Sequence, residues 1–111
     1  ISNFQLIQAM LADSRIELYA AECMLRDATR AYARGEKIST NAACVKVFAS
    51  EMATRIADRC VQIYGGSGYM AEYEAERFYR DTRVYRIYEG TTQILQVVIA
   101  KAMLKEFAEA L

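Results

Sequence analysis

SNFQLIQAMLADSRIELYAAECMLRDATRAYAR, residues 2–34, is the stretch that decides the fold. Phe4, Ile7, Leu11, Ser14, Leu18, Ala21, Leu25, Ala28 and Tyr32 recur in alternating steps of three and four. That spacing puts apolar or small residues on one face of a long helix. The same period also suits a coiled coil. Ser2 or Asn3 is expected to cap its start. Arg30 and Arg34 fall in its last turn, where the helix dipole favours cations. Gly35 can end it in a left-handed conformation.

Outward from that helix, Gly35-Glu36-Lys37-Ile38 is a short link. Ser39 or Thr40 is expected to cap a second helix running to about Tyr64. Val45, Phe48, Met52, Ile56, Cys60 and Ile63 give it a broad apolar face, with Ala49, Ala53 and Ala57 beside them. Two long helices on a short link are antiparallel neighbours. Gly65 and Gly66 end the second helix, and residues 67–73 read as a loop. A short third helix is expected over residues 74–81. A fourth starts near residues 89–92 and runs to about Ala110. The chain is therefore read as all-α, an antiparallel up-and-down four-helix bundle. Residues 94–100 hold six apolar residues in seven, more than one face of a surface helix needs. They could be a strand, but the lack of turn signals through Leu111 favours a helix. Its excess apolar surface predicts contact with another domain or subunit.

The chain has 111 residues, the size of one domain. Fourteen basic residues balance fourteen acidic ones, which gives no support to a nucleic-acid binder. There is no proline, and one glycine precedes residue 65, a composition that favours long helices. Cys23, Cys44 and Cys60 are odd in number and there is no histidine, so neither a disulfide framework nor a metal site is expected. The thiols read as buried groups in a reducing compartment. No apolar run approaches the roughly 20 residues of a membrane span. The chain starts at Ile1 and is read as a piece of a longer protein.

Two stretches carry the residues with chemistry. In Tyr85-Arg86-Ile87-Tyr88-Glu89-Gly90-Thr91-Thr92-Gln93, a carboxylate stands near a helix start. Glu89 is either a charge that complements the helix dipole or a general base. Aromatic surface beside a carboxylate desolvates it and makes it a stronger base near neutral pH. Gly90 would let a planar ligand approach the backbone, and Thr91 and Gln93 offer polar partners. In Gln62-Ile63-Tyr64-Gly65-Gly66-Ser67-Gly68-Tyr69, the glycines are either a helix stop and turn or a backbone cradle for an anion. No strand precedes them, so they are not a Rossmann fingerprint. Arg80, Asp81, Arg83 and Arg86 read as solvated or salt-bridged. Six tyrosines between Tyr64 and Tyr88 suggest either a buried seam with polar tips or a wall around a planar ligand.

Together these residues resemble the C-terminal helical domain of acyl-CoA dehydrogenases. The resemblance rests on Cys60 through Tyr69, on Arg80-Asp81 with Arg83, and on Ile87 through Ile94, at fitting separations. It implies that residues 1–111 are the C-terminal bundle of a larger flavoenzyme of fatty acid metabolism, with N-terminal and middle domains elsewhere. Such enzymes bind FAD and oxidise acyl-CoA thioesters to trans-2-enoyl-CoA. They pass electrons to an electron-transfer flavoprotein and assemble as homo-tetramers or dimers, in the bacterial cytoplasm or the mitochondrial matrix. By position, Glu89 is implied as the base that removes the α-proton, and its N–H as a partner of the thioester carbonyl. Tyr88 and Gly90 are implied to line the substrate site, and Thr91 and Gln93 to contact FAD of the same subunit. Gln62, Ile63, Tyr64, Gly65 and Gly66 are implied to contact FAD held mainly by a neighbouring subunit.

The family's arginine and phenylalanine ahead of the first long helix are absent here, and the isolated chain is expected to be inactive. Some branches of the family place the base on another helix; Glu89 argues against that arrangement. Two competing readings are an acyl-CoA oxidase-like flavoenzyme and a noncatalytic helical oligomerisation module.

Overall fold

The computed structural model describes residues 1–111. It contains four α-helices and no strand: α1 (Gln5–Ala33), α2 (Ser39–Tyr64), α3 (Glu74–Arg83) and α4 (Thr92–Glu109). The all-α, four-helix reading holds. Short 3₁₀ segments follow α2 (Gly65–Tyr69) and α3 (Val84–Arg86). The first of these replaces the start of the loop expected over residues 67–73. No helix is long and apolar enough to cross a membrane.

The helices are grouped around α2, against which α1, α3 and α4 all pack. Helix α1 turns a different seam to it than the heptad reading expected. Ile7, Ser14, Ala21 and Ala28 do face inward. The second inward row, however, is Met10, Glu17, Met24 and Ala31. Phe4, Leu11, Leu18, Leu25 and Tyr32 form an outer row, each at least 40% exposed. The physical reason is close approach plus charge. Ala21, Ala28 and Ala31 are buried on α1, as are Ala43 and Ala57 on α2. Small residues there let the two backbones draw together.

Glu17 sits on that seam because α2 supplies its counter-ions. Arg55 Nε donates to one of its oxygens at 2.7 Å and Arg59 Nη1 to the other at 2.7 Å. The bond from Arg59, above all, holds the Glu17 carboxyl below the usual carboxylate range. A depressed folded-state pKa contributes stability above the unfolded value, about 4.3 for glutamate, which is lost as pH falls through the folded value. The urea midpoint is therefore expected to drop as pH falls below about 4.3, and Glu17→Gln to flatten that drop. An unchanged pH profile in the variant would contradict the role given to this pair.

Neither expected side-chain cap forms. Phe4 and Ile38 occupy the positions before α1 and α2, with no capping side chain. Long helices draw most of their stability from packing, so a missing cap is tolerated. The third helix runs two residues past its expected end, and the fourth begins at Thr92, the last residue of the expected 89–92 start. Nor are the thiols buried: Cys23 is exposed, and Cys44 and Cys60 are half-buried.

At the end of α2, Gly65 takes φ +60° and turns the chain. Gly68 is required for a different reason. A Cβ there would stand 2.5 Å from the Val61 carbonyl oxygen and 2.9 Å from the Tyr64 Cβ. Gly68→Ala is expected to cost about 1–3 kcal/mol in a denaturant melt. Gly66→Ala, with nothing within 4 Å of its Cβ, should stay within about 0.5 kcal/mol. Equal effects would refute the crowding argument.

The chain leaves much apolar surface uncovered. Seven hydrophobic residues are buried, six of them alanines. Accessible surface is 8237 Å², against about 6200 Å² for a compact monomer of 12.6 kDa. The radius of gyration is 17.3 Å, against about 13 Å for a compact domain of this length. The excess, about 2000 Å², is more than one partner's share of a standard protein interface, about 800 Å².

Candidate functional site

Residues 87–91 leave the second 3₁₀ segment and enter α4 through a tight turn. Glu89 has φ +52° and Gly90 φ +92°. This is the φ pair of the central residues in a type I′ turn. Glycine adopts such angles freely, but a glutamate does so at a cost of about 1–3 kcal/mol. Glu89 is the chain's sole non-glycine residue in that region. Thr91 follows in extended backbone and caps α4, its Oγ1 accepting from Ile94 N at 3.2 Å.

Two residues of α2 hold this turn. The Lys46 ammonium donates to the carbonyl oxygens of Tyr88 at 3.0 Å and Gly90 at 2.7 Å. Five residues on, Glu51 Oε1 accepts from Arg86 Nε and Thr92 Oγ1, each at 2.9 Å. Burial pushes the Glu51 carboxyl up, but the bonds from Thr92 and Arg86 outweigh it and hold the group below the usual carboxylate range. Thr92 is buried. Neither Lys46 nor Glu51 was among the residues singled out from sequence. The signal available was a charge beside a row of apolar neighbours: Lys46 between Val45 and Val47, Glu51 beside Met52.

The turn stands at the rim of a groove of about 920 Å³. The C-terminal half of α1 supplies Leu25, Ala28, Thr29 and Tyr32; Ile38 stands just ahead of α2, which supplies Ala42, Val45, Lys46, Ala49, Ser50, Met52 and Ala53; Tyr85, Tyr88 and Glu89 complete the wall. Lys46 and Glu89 are the only charged residues in it. Apart from Thr29 and Ser50 the rest of the lining is hydrophobic, with Tyr85 and Tyr88 stacked at 6.0 Å. The Glu89 carboxylate is exposed, and it forms no ion pair within the chain. The backbone N–H groups of Glu89, Gly90 and Thr91 make no backbone hydrogen bond.

Of the sequence candidates, then, Tyr88 and Glu89 line one groove, with Gly90 and Thr91 adjoining it. Gln93 is exposed in the first turn of α4. The second group lies elsewhere. Gln62, Tyr64, Gly65 and Gly66 are exposed and Ile63 half-buried at the far end of α2. Gln62 is about 14 Å along the helix beyond Ala53, at 1.5 Å per residue. No buried tyrosine seam exists: the six tyrosines are 38% to 85% exposed. Two of them wall the groove, and Tyr64 packs edge-on against Tyr73 near the glycines.

Comparison with known proteins bears on what this arrangement is. The C-terminal domain of acyl-CoA dehydrogenase matches residues 1–104. The chain is 46% identical to probable acyl-CoA dehydrogenase YngJ of Bacillus subtilis, over 95% of this chain and 28% of that protein. It is 44% identical to a 3-(aryl)acrylate reductase of Clostridium sporogenes, again over 95% of this chain and 28% of the other. Its fold superposes on butyryl-CoA dehydrogenase of Megasphaera elsdenii with a TM-score of 0.90 and 36% identity, covering 93% of this chain and 27% of that one. The chain thus spans little more than a quarter of the length of these relatives. The left-handed glutamate, the glycine pair, the first three helices and most of the fourth lie within the matched residues, and the chain belongs to the acyl-CoA dehydrogenase family, matching its C-terminal domain.

Proposed function

We propose that the protein containing this chain is an FAD-dependent enzyme acting on acyl-CoA thioesters, and that Glu89 is its base. One observation carries the assignment of Glu89. It is the chain's single strained non-glycine residue, and the strain sets an unpaired carboxylate at the rim of an apolar groove. Backbone strain of this kind persists where the surroundings impose it, and it clusters at functional sites. An acyl chain suits the apolar walls of Leu25, Val45, Ala49 and Tyr88. The carboxylate would then take the α-proton. The N–H groups at residues 89–91 have no backbone partner, and one or more of them would hold a thioester oxygen as negative charge develops on it.

FAD is the cofactor of this family, and the residues present fit it. Gly65 and Gly66 have open space where a side chain would be, so a phosphate or flavin edge can reach the backbone. Gln62 and Tyr64 are exposed beside them. Thr91 accepts through its oxygen and keeps its own O–H to donate, and Gln93 stands in the positive first turn of α4. Bound there, FAD would accept the hydride from the substrate β-carbon. The separation of the glycine pair from the groove supports assigning it to the FAD of a neighbouring subunit, which makes a homo-oligomer part of the site.

A second reading is supported by the relatives. Two are named as reductases, the 3-(aryl)acrylate reductase and a caffeyl-CoA reductase–Etf complex subunit of Acetobacterium woodii. The same residues serve the reverse direction, with Glu89 delivering a proton to the α-carbon. The second name also supports an electron-transfer flavoprotein as partner. Anaerobic addition of saturated acyl-CoAs to the full-length protein tests both readings. Bleaching of the flavin supports oxidation. Re-oxidation of pre-reduced flavin by an α,β-unsaturated thioester, without bleaching by saturated ones, supports reduction. No flavin after FAD is supplied would overturn both.

A further inference from the structure

Lys46 has the groove's only positive charge, and it is not spent on the groove's only negative one. Its ammonium points at backbone instead, to the carbonyl oxygens on either side of Glu89, at 3.0 and 2.7 Å. We propose that Lys46 is a positioning residue for the base: it clamps the turn on both sides of Glu89 and leaves the carboxylate unpaired. The inference rests on the reading of Glu89 as the base.

Three physical points support the clamp. First, consecutive left-handed residues at 89 and 90 are unfavourable for a glutamate, so something must hold them. Hydrogen bonds from a charged donor are about twice as strong as neutral ones, and here one ammonium makes two. Second, Lys46 lies on α2, the element on which the whole chain packs, 42 residues from Tyr88 and 44 from Gly90. The turn is thus tied to the helix on which the others pack, and not to its own flanks alone. Third, an ion pair to Glu89 would stabilise its charged form and make it a poorer base. Aiming the cation at the carbonyls fixes the backbone and leaves the carboxylate with no ion-pair partner. The four-carbon stem of lysine covers apolar groove wall while the charge reaches the turn. Glu51 grips Arg86 and Thr92 outside the turn, so it frames the segment but makes no hydrogen bond to residues 88–90.

The test uses the full-length flavoprotein. Lys46→Met removes both donors at similar length. Reduction of the flavin by acyl-CoA is expected to slow about 10- to 100-fold, the cost of a misplacement near 1 Å, with acyl-CoA affinity within about threefold. Lys46→Arg, which can still donate to both carbonyls, should recover most of the rate. Lys46→Gln, with one amide donor group, should fall between. The double variant K46M/E89Q should be no slower than E89Q alone, because the clamp acts through the base. Amide hydrogen exchange supplies a readout apart from activity. The N–H groups of Ile87 and Tyr88, both bonded to the Val84 carbonyl, should exchange faster in K46M.

A slow E89Q enzyme beside K46M and K46Q enzymes at wild-type speed would overturn the inference and leave the base standing. A double variant slower than E89Q by the full K46M factor would overturn it too, since Lys46 would then act independently of Glu89. An E89Q enzyme at wild-type speed would overturn the base, and the inference with it.

Discussion

Glu89→Gln in the full-length flavoprotein is expected to slow flavin reduction by acyl-CoA about 10²- to 10⁴-fold, the usual contribution of a general base. The amide has the size and shape of the carboxylate, and its backbone can keep the turn that Lys46 holds at Tyr88 and Gly90. What it lacks is the capacity to accept a proton. Substrate affinity should change little, because the groove walls that would hold the acyl chain are apolar and untouched. Glu89→Asp keeps the charge but withdraws it by one methylene, and should lose about 10- to 100-fold. Rapid mixing without oxygen separates the two effects as limiting rate and apparent Kd. A loss confined to Kd would move Glu89 from chemistry to binding.

Val97→Lys together with Val98→Lys is expected to dissociate the assembled enzyme. Leu95, Ile99 and Ala102 of α4 turn toward the rest of the chain. Ile94, Val97, Val98 and Leu104 turn away and are 42% to 61% exposed. A helix apolar on both sides needs a second partner, and the chain as a whole exposes about 2000 Å² more than a compact monomer would. An ammonium left unpaired in a buried interface costs about 3–5 kcal/mol, a weakening of association of roughly 10²- to 4 × 10³-fold for each lysine. Light scattering reads the result as a smaller mass, and the variant should also lose flavin if a neighbour's glycine pair completes the FAD site. An unchanged mass would assign this face to a contact within the subunit.

Much of this was legible from the chain itself. The absence of proline and the placement of glycine announced long helices, and the helix ends at Gly35 and Gly65 fell where expected. Period, however, gives a face and not its orientation. The row Phe4, Leu11, Leu18, Leu25, Tyr32 looked like core because it is large and apolar, yet alanines and a paired glutamate took that place. Side-chain size favours the core only where a partner surface exists within the chain, and here the long residues stay exposed. Glu89 was legible as a residue but not as a conformation. Read as a helix start, it proved to be the left-handed residue of a turn, because Gly90 and the Thr91 cap together push the helix three residues on. Lys46 and Glu51 escaped notice because their partners lie 35 or more residues away. No local pattern carries a contact of that range.

The central claim is that the Glu89 carboxylate takes the proton from the carbon next to the thioester. Proton removal can be watched apart from oxidation with an acyl-CoA analogue bearing sulfur at the β-position, which keeps its α-protons but has no hydride to give. Incubated in deuterium oxide with the FAD-loaded full-length protein, the analogue should gain deuterium at the α-carbon by NMR, and with the E89Q variant it should not. Equal deuterium uptake in both would contradict the account, since another group would then be the base and the strained turn at Glu89 would serve the fold alone.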